Sequence, residues 1–461
     1  MQYKVFGCKT NKYFAEKWLV HPHLSDKNGY FIASCVVTDK AKAKWVKHAQ
    51  RKLPELKVGE KLYLSGCGNI RNGVVDPRFF EVYSELENYR GMIEILPEDP
   101  DDFHQTSEEK RVMMQTKIRS LKKLAGKELF TRKYMVIQTG CDNFCTFCLT
   151  VQARGRHKWR PIMEILEEIS TFVEWDGKEV VFTGINLGAW WASTSNNYEE
   201  SRFVELVETV LEKTTLERLR ISSLGVEFLS DRLITLFANP RINAYVHLSI
   251  QSGSSKILKA MHRHYDGEQV RTVLWKIRNI ERPDGAIINI WADLIVGFPG
   301  ETDDDFLDTM NLVQDFQITQ LHAFPFSAHL DHYSVPAGSF PDQVANHIAQ
   351  NRLKELIRMG EVEYLKLAEN MTGKTVRVLI EKGDLRERST TPIDQPNIQD
   401  SKIQRFQDSN IPPTYHFSGW SENYLACDET NIELFPDQEI ARGKVVEGVF
   451  LHPLEQKSEL S

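Results

Sequence analysis

The chain has 461 residues, of which 41% are hydrophobic and 26% are charged, and its formal net charge is −7. This composition is typical of a globular protein of about three domains and excludes a wholly disordered or fibrous chain. The acidic balance argues against a uniformly basic nucleic-acid binder. The stretch closest to a membrane helix, at 287–298, contains Asn289 and Asp293, so no membrane span is predicted. Seven unevenly spaced cysteines and no secretory signal pattern favour the reducing cytoplasm.

Residues 1–97 alternate between strand and helix patterns. Short apolar runs predict strands at Tyr3–Phe6, Tyr30–Ala33 and Leu62–Leu64, and a helical pattern covers Lys40–Leu53. We expect a small parallel α/β sheet, since helices that follow strands cross over to the next parallel strand.

Residues 98–128 are predicted to be a linker followed by a basic helix. Acidic residues stand near two prolines at its start, and we expect them to face solvent: Glu98, Asp99, Asp101, Asp102, Glu108 and Glu109. Basic residues then dominate and continue into the next region: Lys110, Arg111, Lys117, Arg119, Lys122, Lys123, Lys127, Arg132, Lys133, Arg154, Arg156, Lys158 and Arg160. They form either a solvated face or a surface that follows phosphates.

Residues 129–369 contain six further β/α units. The predicted strands are Tyr134–Gln138, Glu179–Thr183, Leu219–Ser223, Val246–Ile250, Ile287–Val296 and Gln320–Phe324. The clearest amphipathic helices are Met163–Glu174, Phe203–Glu212, Val270–Ile280 and Asp304–Phe316, and a long helix follows at 341–369. This alternation predicts an open parallel sheet or a partial barrel.

Residues 370–455 are predicted to form a small β-domain. A strand at Val376–Ile380 precedes a polar insert at 384–413 and three short strand-like segments. Cys427 lies in one of them, and we interpret it as a core residue because lone cysteines usually pack as small hydrophobic side chains.

Three cysteines follow the first strand of the β/α array in a C-x3-C-x2-C pattern: Cys141, Cys145 and Cys148. Three thiolates so closely spaced must surround a common object. Tetrahedral zinc needs a fourth ligand, for which His157 is the nearby candidate, whereas three thiolates suit a [4Fe–4S] cluster with one open iron.

This pattern resembles the radical S-adenosylmethionine (SAM) enzymes, in which such a cluster binds SAM and cleaves it to a 5′-deoxyadenosyl radical. The resemblance implies a partial (β/α)6 barrel with SAM contacts at successive strand ends. Small and polar residues stand at these positions: Gly184, Asn186, Ser222, Ser223, Gln251 and Gly297.

Three more cysteines, Cys8, Cys35 and Cys67, each follow a predicted strand of the first region. Parallel strand ends meet at one sheet edge, so these residues can share one cluster. The pattern resembles the methylthiotransferases, which implies a second [4Fe–4S] cluster that carries the sulfur. In that family a C-terminal TRAM module binds RNA, and the segments that start at Gly373 and Gly419 resemble it.

Gly7-Cys-Lys-Thr-Asn and Thr183-Gly-Ile-Asn-Leu-Gly resemble the branch that methylthiolates C2 of N6-threonylcarbamoyladenosine at tRNA position 37. The resemblance implies tRNA, through its anticodon loop, as substrate and an electron donor such as flavodoxin or ferredoxin. Alternatives are the branches that act on isopentenyladenosine or on a ribosomal protein, and a non-catalytic RNA-binding protein that holds zinc or a cluster.

Overall fold

The computed structural model describes residues 1–100, 131–329, 334–385, 415–436 and 438–454. The chain divides into two units, residues 1–367 and 368–461. The acidic residues Asp101, Asp102, Glu108 and Glu109, the basic residues from Lys110 to Lys127, and most of the polar insert at 384–413 lie outside the described residues.

The first 100 residues form the expected parallel sheet, with the strand order β1-β2-β3-β6. Strand β2 is buried along almost its whole length, as a strand covered by helices on both faces must be. The strands are β1 Gln2–Val5, β2 Gly29–Ser34, β3 Lys61–Gly66, β4 Ile70–Arg71, β5 Val74–Val75 and β6 Ile93–Ile95. The helices are α1 Lys9–Leu19, α2 Pro22–Ser25, α3 Asp39–Lys52 and α4 Phe79–Val82.

Six parallel strands follow, in two groups of three ordered β11-β10-β7 and β12-β13-β14. Single bridges from Leu219 to Ile242 and from Leu224 to Leu248 connect the groups. The six strands are β7 Lys133–Val136, β10 Glu179–Thr183, β11 Arg218–Ile221, β12 Tyr245–Gln251, β13 Asn289–Val296 and β14 Ile318–Pro325, and the short strands β8 Gln138–Thr139 and β9 Lys158–Trp159 form a separate antiparallel pair. The six predicted strands are therefore confirmed to within a few residues.

Amphipathic helices cover the outer face of these strands. They are α6 Ile162–Glu174, α7 Phe203–Lys213, α8 Asp231–Leu236, α9 Ser255–Ala260, α10 Gly267–Arg278, α11 Asp303–Asp315 and α12 Asn346–Met371. The short helix α5 Thr150–Arg154 precedes them and packs against the N-terminal core through Ala153. One large apolar core, which includes Val180, Phe182 and Leu294, joins strands to helices. The helices bury their apolar faces in it, which stabilises the array.

The inner face of the six strands lines a space that we call the lumen. Along β13 fully buried residues alternate with partly exposed ones, because successive side chains point to opposite faces. Leu294 points into the core, whereas Asp293 points into the lumen. Helix α1 covers part of the lumen, since Tyr13 and Phe14 pack against Tyr134, Val136 and Val181.

The second unit contains a five-stranded antiparallel sheet in the order β17-β16-β15-β19-β18. Its strands are β15 Thr375–Leu385, β16 Tyr415–Ser421, β17 Ala426–Asp428, β18 Ile432–Leu434 and β19 Val445–Phe450. Cys427 is buried in it, which confirms its interpretation as a core residue. Across the described ranges, no helix has the length and apolar character to cross a membrane.

Several charged residues expected at the surface are internal, which corrects the sequence analysis. Arg132 and Arg154 are buried, and Arg160 pairs with Glu168 at 2.9 Å. Glu98 is also buried, because it pairs with Arg154 at 2.7 Å, and Asp99 pairs with Lys17 at 2.9 Å. Arg132 and Arg154 are therefore not part of a solvated face.

Glu179 is the centre of a buried cluster of charges. Its carboxylate contacts Arg218 at 2.8 Å, Arg220 at 2.9 Å and Arg132 at 3.1 Å. Burial opposes ionisation, but the guanidinium groups, Arg220 foremost, hold the pKa of Glu179 well below its usual range. The cluster connects β10 and β11 to the start of β7.

We expect Glu179→Gln to lower the free energy of unfolding by about 3–5 kcal/mol, because it leaves buried guanidinium groups without their carboxylate. Urea denaturation measures this loss. The matched control is Glu208→Gln, whose partner Arg232 is exposed, and it should cost at most about 1 kcal/mol. Equal losses for the two variants would contradict the role of the buried cluster.

Candidate functional site

Cys141, Cys145 and Cys148, which we call the barrel trio, lie in the loop between β8 and α5. Gly140 begins the loop at φ +68°, and a Cβ there would lie 1.9 Å from the carbonyl oxygen of Arg156. Only glycine fits this close approach of two backbone segments. The loop thereby turns back at the carboxyl end of β7, where β/α folds bind ligands.

Each sulfur of the barrel trio accepts a hydrogen bond. The backbone N–H of Asn143 and the hydroxyl of Ser195 donate to Cys141 Sγ, both at 3.5 Å. The backbone N–H of Thr150 donates to Cys148 Sγ at 3.4 Å. Arg263 Nη1 donates to Cys145 Sγ at 3.3 Å. Such donors stabilise electron-rich sulfur and set the potential of iron–sulfur clusters.

Burial opposes the ionisation of two thiols of the barrel trio. Burial raises the pKa of Cys141 to about 12, and it also raises the pKa of Cys145 against the influence of Arg263. Both thiols therefore stay protonated until a metal displaces the proton.

Gln138 and Ser195 attach the loop after β10 to the barrel trio. Gln138 Oε1 accepts the backbone N–H of Asn186 at 2.8 Å, and the Asn186 side chain donates to the carbonyl oxygen of Ser195 at 2.9 Å. A Cβ at Gly184 would lie 3.0 Å from Gln138, so glycine permits the approach. Two of the residues predicted to contact SAM therefore lie beside the barrel trio.

The other predicted SAM contacts also lie at the ends of strands. Ser222 is buried after β11, Gln251 ends β12 at φ +75°, and Gly297 follows β13 and donates to Glu301 at 2.6 Å. The Ser223 hydroxyl instead bonds to Asp293 in the lumen. SAM contact by these residues stays a prediction.

Cys8, Cys35 and Cys67, which we call the N-terminal trio, follow β1, β2 and β3. Cys35 and Cys67 are buried and share a hydrogen bond, whereas Cys8 is exposed at the N-terminus of α1. Gly7 has φ +94°, and a Cβ there would lie 2.8 Å from Cys35 Sγ. The expected meeting of strand ends therefore brings Cys35 and Cys67 into direct contact and sets Cys8 beside them.

Arg154 connects the N-terminal trio to the barrel. It lies at the end of α5, one short helix after Cys148, and pairs with Glu98 at 2.7 Å. Its Nη2 donates to Asn11 Oδ1 at 3.3 Å, and Asn11 in turn donates to the backbone of β2. A hydrogen bond with Cys35 and the charge of Arg154 lower the pKa of Cys67. The same hydrogen bond, together with burial, raises the pKa of Cys35, so Cys67 is the thiol of this pair that ionises first.

Three polar side chains from adjacent strands meet in the lumen. His247 Nε2 lies 2.8 Å from Asp293 Oδ1, and His322 Nδ1 lies 3.3 Å from the same oxygen. Burial opposes ionisation, but the histidines, His247 foremost, hold the pKa of Asp293 well below its usual range. Asp293 is therefore an anion at neutral pH.

The lumen borders both trios. Ser249 donates to Asp293 Oδ2 at 3.2 Å, and Arg263 reaches the Ser249 carbonyl oxygen at 3.4 Å while it also contacts Cys145. Lys9, which follows Cys8 directly, enters the lumen from the N-terminal trio. Its Nζ lies 5.9 Å from the centre of the Tyr245 ring. Burial and the charge of Arg220 lower the pKa of Lys9 to about 7.

Four residues of this site were missed by the sequence analysis. No sequence signal marked Ser195 or Arg263, which come from loops remote from the cysteines. His247 and Asp293 were detectable, because a polar residue within an otherwise apolar predicted strand indicates a lumen-facing position.

Residues 135–313, which include the barrel trio, match the model of the Radical SAM superfamily. The threonylcarbamoyladenosine tRNA methylthiotransferase MtaB of Thermotoga maritima is 30% identical over 82% of this chain and 86% of its own length. The tRNA-2-methylthio-N(6)-dimethylallyladenosine synthase of Agrobacterium fabrum is 37% identical over 54% of this chain and 53% of its own.

Among solved structures, the radical SAM methyltransferase TsrM of Kitasatospora setae is similar over 67% of this chain and 64% of its own, with 11% identity and a TM-score of 0.42. That likeness is too distant to argue from. The similarity to the Thermotoga maritima enzyme over most of both chains shows the family. The chain belongs to the radical SAM tRNA methylthiotransferases. It is an enzyme, and the non-catalytic alternative is wrong.

We expect Arg154→Met to lower the free energy of unfolding by about 3–5 kcal/mol, because Glu98 would stay buried without its cation. Arg156→Met, two residues away, is the matched control. The Arg156 side chain is 75% exposed, so it should cost at most about 1 kcal/mol. Urea denaturation of both variants compares them, and a larger loss for Arg156→Met would contradict the internal role of Arg154.

Proposed function

We propose that this chain adds a methylthio group to C2 of N6-threonylcarbamoyladenosine at position 37 of tRNA, with the N-terminal trio as the ligands of a second [4Fe–4S] cluster. The observation that supports the proposal is the shared lumen. Arg263 joins the barrel trio to one wall, and Lys9 extends from the N-terminal trio to another. A base inside the lumen would lie between the two sets of cysteines.

A radical SAM cluster supplies, when bound, the reductive cleavage of SAM that opens an unactivated C–H bond. The residues of the chain bind and position the reactants. The barrel trio would hold that cluster, with its sulfurs stabilised by Ser195, Arg263 and two backbone N–H groups. Helix α1 closes one side of the lumen with Tyr13 and Phe14 and so limits the access of water. Such exclusion protects reactive species from side reactions.

Position 37 of tRNA lies in a single-stranded loop, so its base can leave the stack without breaking a helix. The segments Gly7-Cys-Lys-Thr-Asn and Thr183-Gly-Ile-Asn-Leu-Gly, which resemble the threonylcarbamoyladenosine branch, support this nucleoside. The antiparallel sheet of the second unit is compatible with the TRAM-like RNA-binding module that we propose for residues 370–455. We further propose that the enzyme acts in the cytoplasm and takes electrons from a flavodoxin or ferredoxin.

We expect about two [4Fe–4S] clusters per chain, and the combined replacement of Cys141, Cys145 and Cys148 by alanine should remove half of the iron and abolish SAM cleavage. A cluster cannot form without its thiolates. Iron and sulfide are counted after anaerobic reconstitution. Cys427→Ala is the matched control, because Cys427 is buried in the second unit, and it should leave the iron unchanged. Loss of all iron, or of none, by the triple variant would contradict two independent sites.

We expect Cys35→Ala to keep reductive SAM cleavage but to form no methylthio product, because sulfur delivery depends on the N-terminal trio alone. Nucleoside mass spectrometry of tRNA incubated with wild type or variant measures the methylthio product. The 5′-deoxyadenosine released into the same reaction measures SAM cleavage. Wild-type methylthiolation of threonylcarbamoyladenosine supports the proposed substrate. If isopentenyladenosine is modified instead, the substrate assignment is wrong while the two-cluster arrangement stands. Full product from Cys35→Ala would show that the sulfur site is misplaced.

A further inference from the structure

Lys9 places an amino group in the lumen beside the N-terminal trio. It is the first residue of α1, directly after Cys8, and it is only partly exposed. Its ammonium group lies 5.9 Å from the centre of the Tyr245 ring, and the Tyr245 ring packs 5.0 Å from that of Trp291. Two aromatic walls of the lumen therefore stand next to this amino group.

The neighbouring carboxylate does not neutralise Lys9 directly. Asp293 already accepts contacts from four groups: His247, His322, Ser223 and Ser249. Four contacts use the lone-pair sites of a carboxylate. Within the described part of the chain, the Lys9 ammonium forms no hydrogen bond and no ion pair. A cation removed from water without a partner is costly, and a bound anion would offset that cost.

The lumen beside Lys9 is accessible. The side chain of Asp293 is 26% exposed and that of His322 is 37% exposed, although both stand on central strands of the array. Trp291 on the same face is partly exposed as well. An accessible space with polar walls and a lysine that forms no hydrogen bond to any described residue fits a small polar, anionic group better than an alkyl chain.

We propose that the Lys9 ammonium binds the carboxylate of the threonylcarbamoyl group on N6 of adenosine 37 and thereby selects that nucleoside over isopentenyladenosine. The inference rests on the proposed function, because it takes tRNA position 37 as the substrate. The threonylcarbamoyl group ends in a carboxylate, which pairs with an ammonium group. The isopentenyl group carries no charge and would leave Lys9 without a counter-ion.

The test is equilibrium binding of three anticodon stem-loop RNAs to the anaerobically reconstituted holoenzyme with SAM and without reductant, so that no turnover occurs. The RNAs carry threonylcarbamoyladenosine, its carboxylate methyl ester, or isopentenyladenosine at position 37. We expect the wild type to bind the free acid about 10- to 100-fold more tightly than the ester. Removal of one partner of a buried charge pair lowers binding affinity by that factor or more. Equal affinities would overturn the proposal without any variant.

Lys9→Met should bind the free-acid RNA and the ester RNA equally, with the affinity that the wild type has for the ester. Lys9→Arg should keep most of the wild-type preference for the free acid. A merely structural role would weaken all three RNAs alike and would not be rescued by the charge of arginine. Iron content and SAM cleavage are measured in parallel, because Lys9 adjoins Cys8. A Lys9→Met variant that holds full iron and still prefers the acid overturns the proposal.

Lys17→Met is the matched control on the same helix. Lys17 pairs with Asp99 at 2.9 Å, so its loss should leave the preference unchanged. A different result would contradict the proposed function itself. In that case the wild type would bind the isopentenyladenosine RNA more tightly than either threonylcarbamoyladenosine RNA. Preference for both threonylcarbamoyl RNAs over isopentenyladenosine, with no difference between acid and ester, would support the substrate and reject Lys9 as the carboxylate site.

Discussion

The ion pair between Glu98 and Arg154 fixes the geometry on which the rest of the site depends. Both side chains are almost completely buried, so neither can satisfy its charge with water. Arg154 stands one short helix after the barrel trio, and Glu98 follows the last strand of the N-terminal sheet. Because a buried charge that loses its partner is strongly destabilising, the two segments stay in contact. The same guanidinium group also acts on Cys67, so one residue couples packing to the N-terminal trio.

This coupling explains why the lumen can serve two sets of cysteines. A reaction between groups held at opposite walls of the lumen requires a fixed distance between those walls. A small displacement of the reacting groups lowers the reaction rate by a large factor. The six-stranded array supplies one rigid wall through its continuous apolar core, and α1 supplies the other through Tyr13 and Phe14. Asp293 and its four donors form the polar floor between them.

Much of the fold was predictable, because hydrophobic periodicity depends on local sequence. The strand Glu179–Thr183 was predicted with its observed bounds, and Cys8, Cys35 and Cys67 each follow a parallel strand as expected. Helix α1 was missed because its buried residues include the polar Thr10 and Asn11, which hide the helical pattern. Arg154 was misassigned because charge alone does not reveal burial, and its partner Glu98 is remote in sequence. Pairings across such distances are set by tertiary structure.

The most direct test of this account is the ratio of methylthiolated nucleoside to 5′-deoxyadenosine formed by Glu98→Gln. The variant keeps all six cysteines and removes only the charge that holds Arg154. We predict that in protein with full iron the ratio falls about tenfold or more, because the two trios lose their fixed relation, and that the variant is also less stable, because Arg154 stays buried without its carboxylate. An unchanged ratio in a variant with full iron would contradict the claim that this ion pair aligns the two trios.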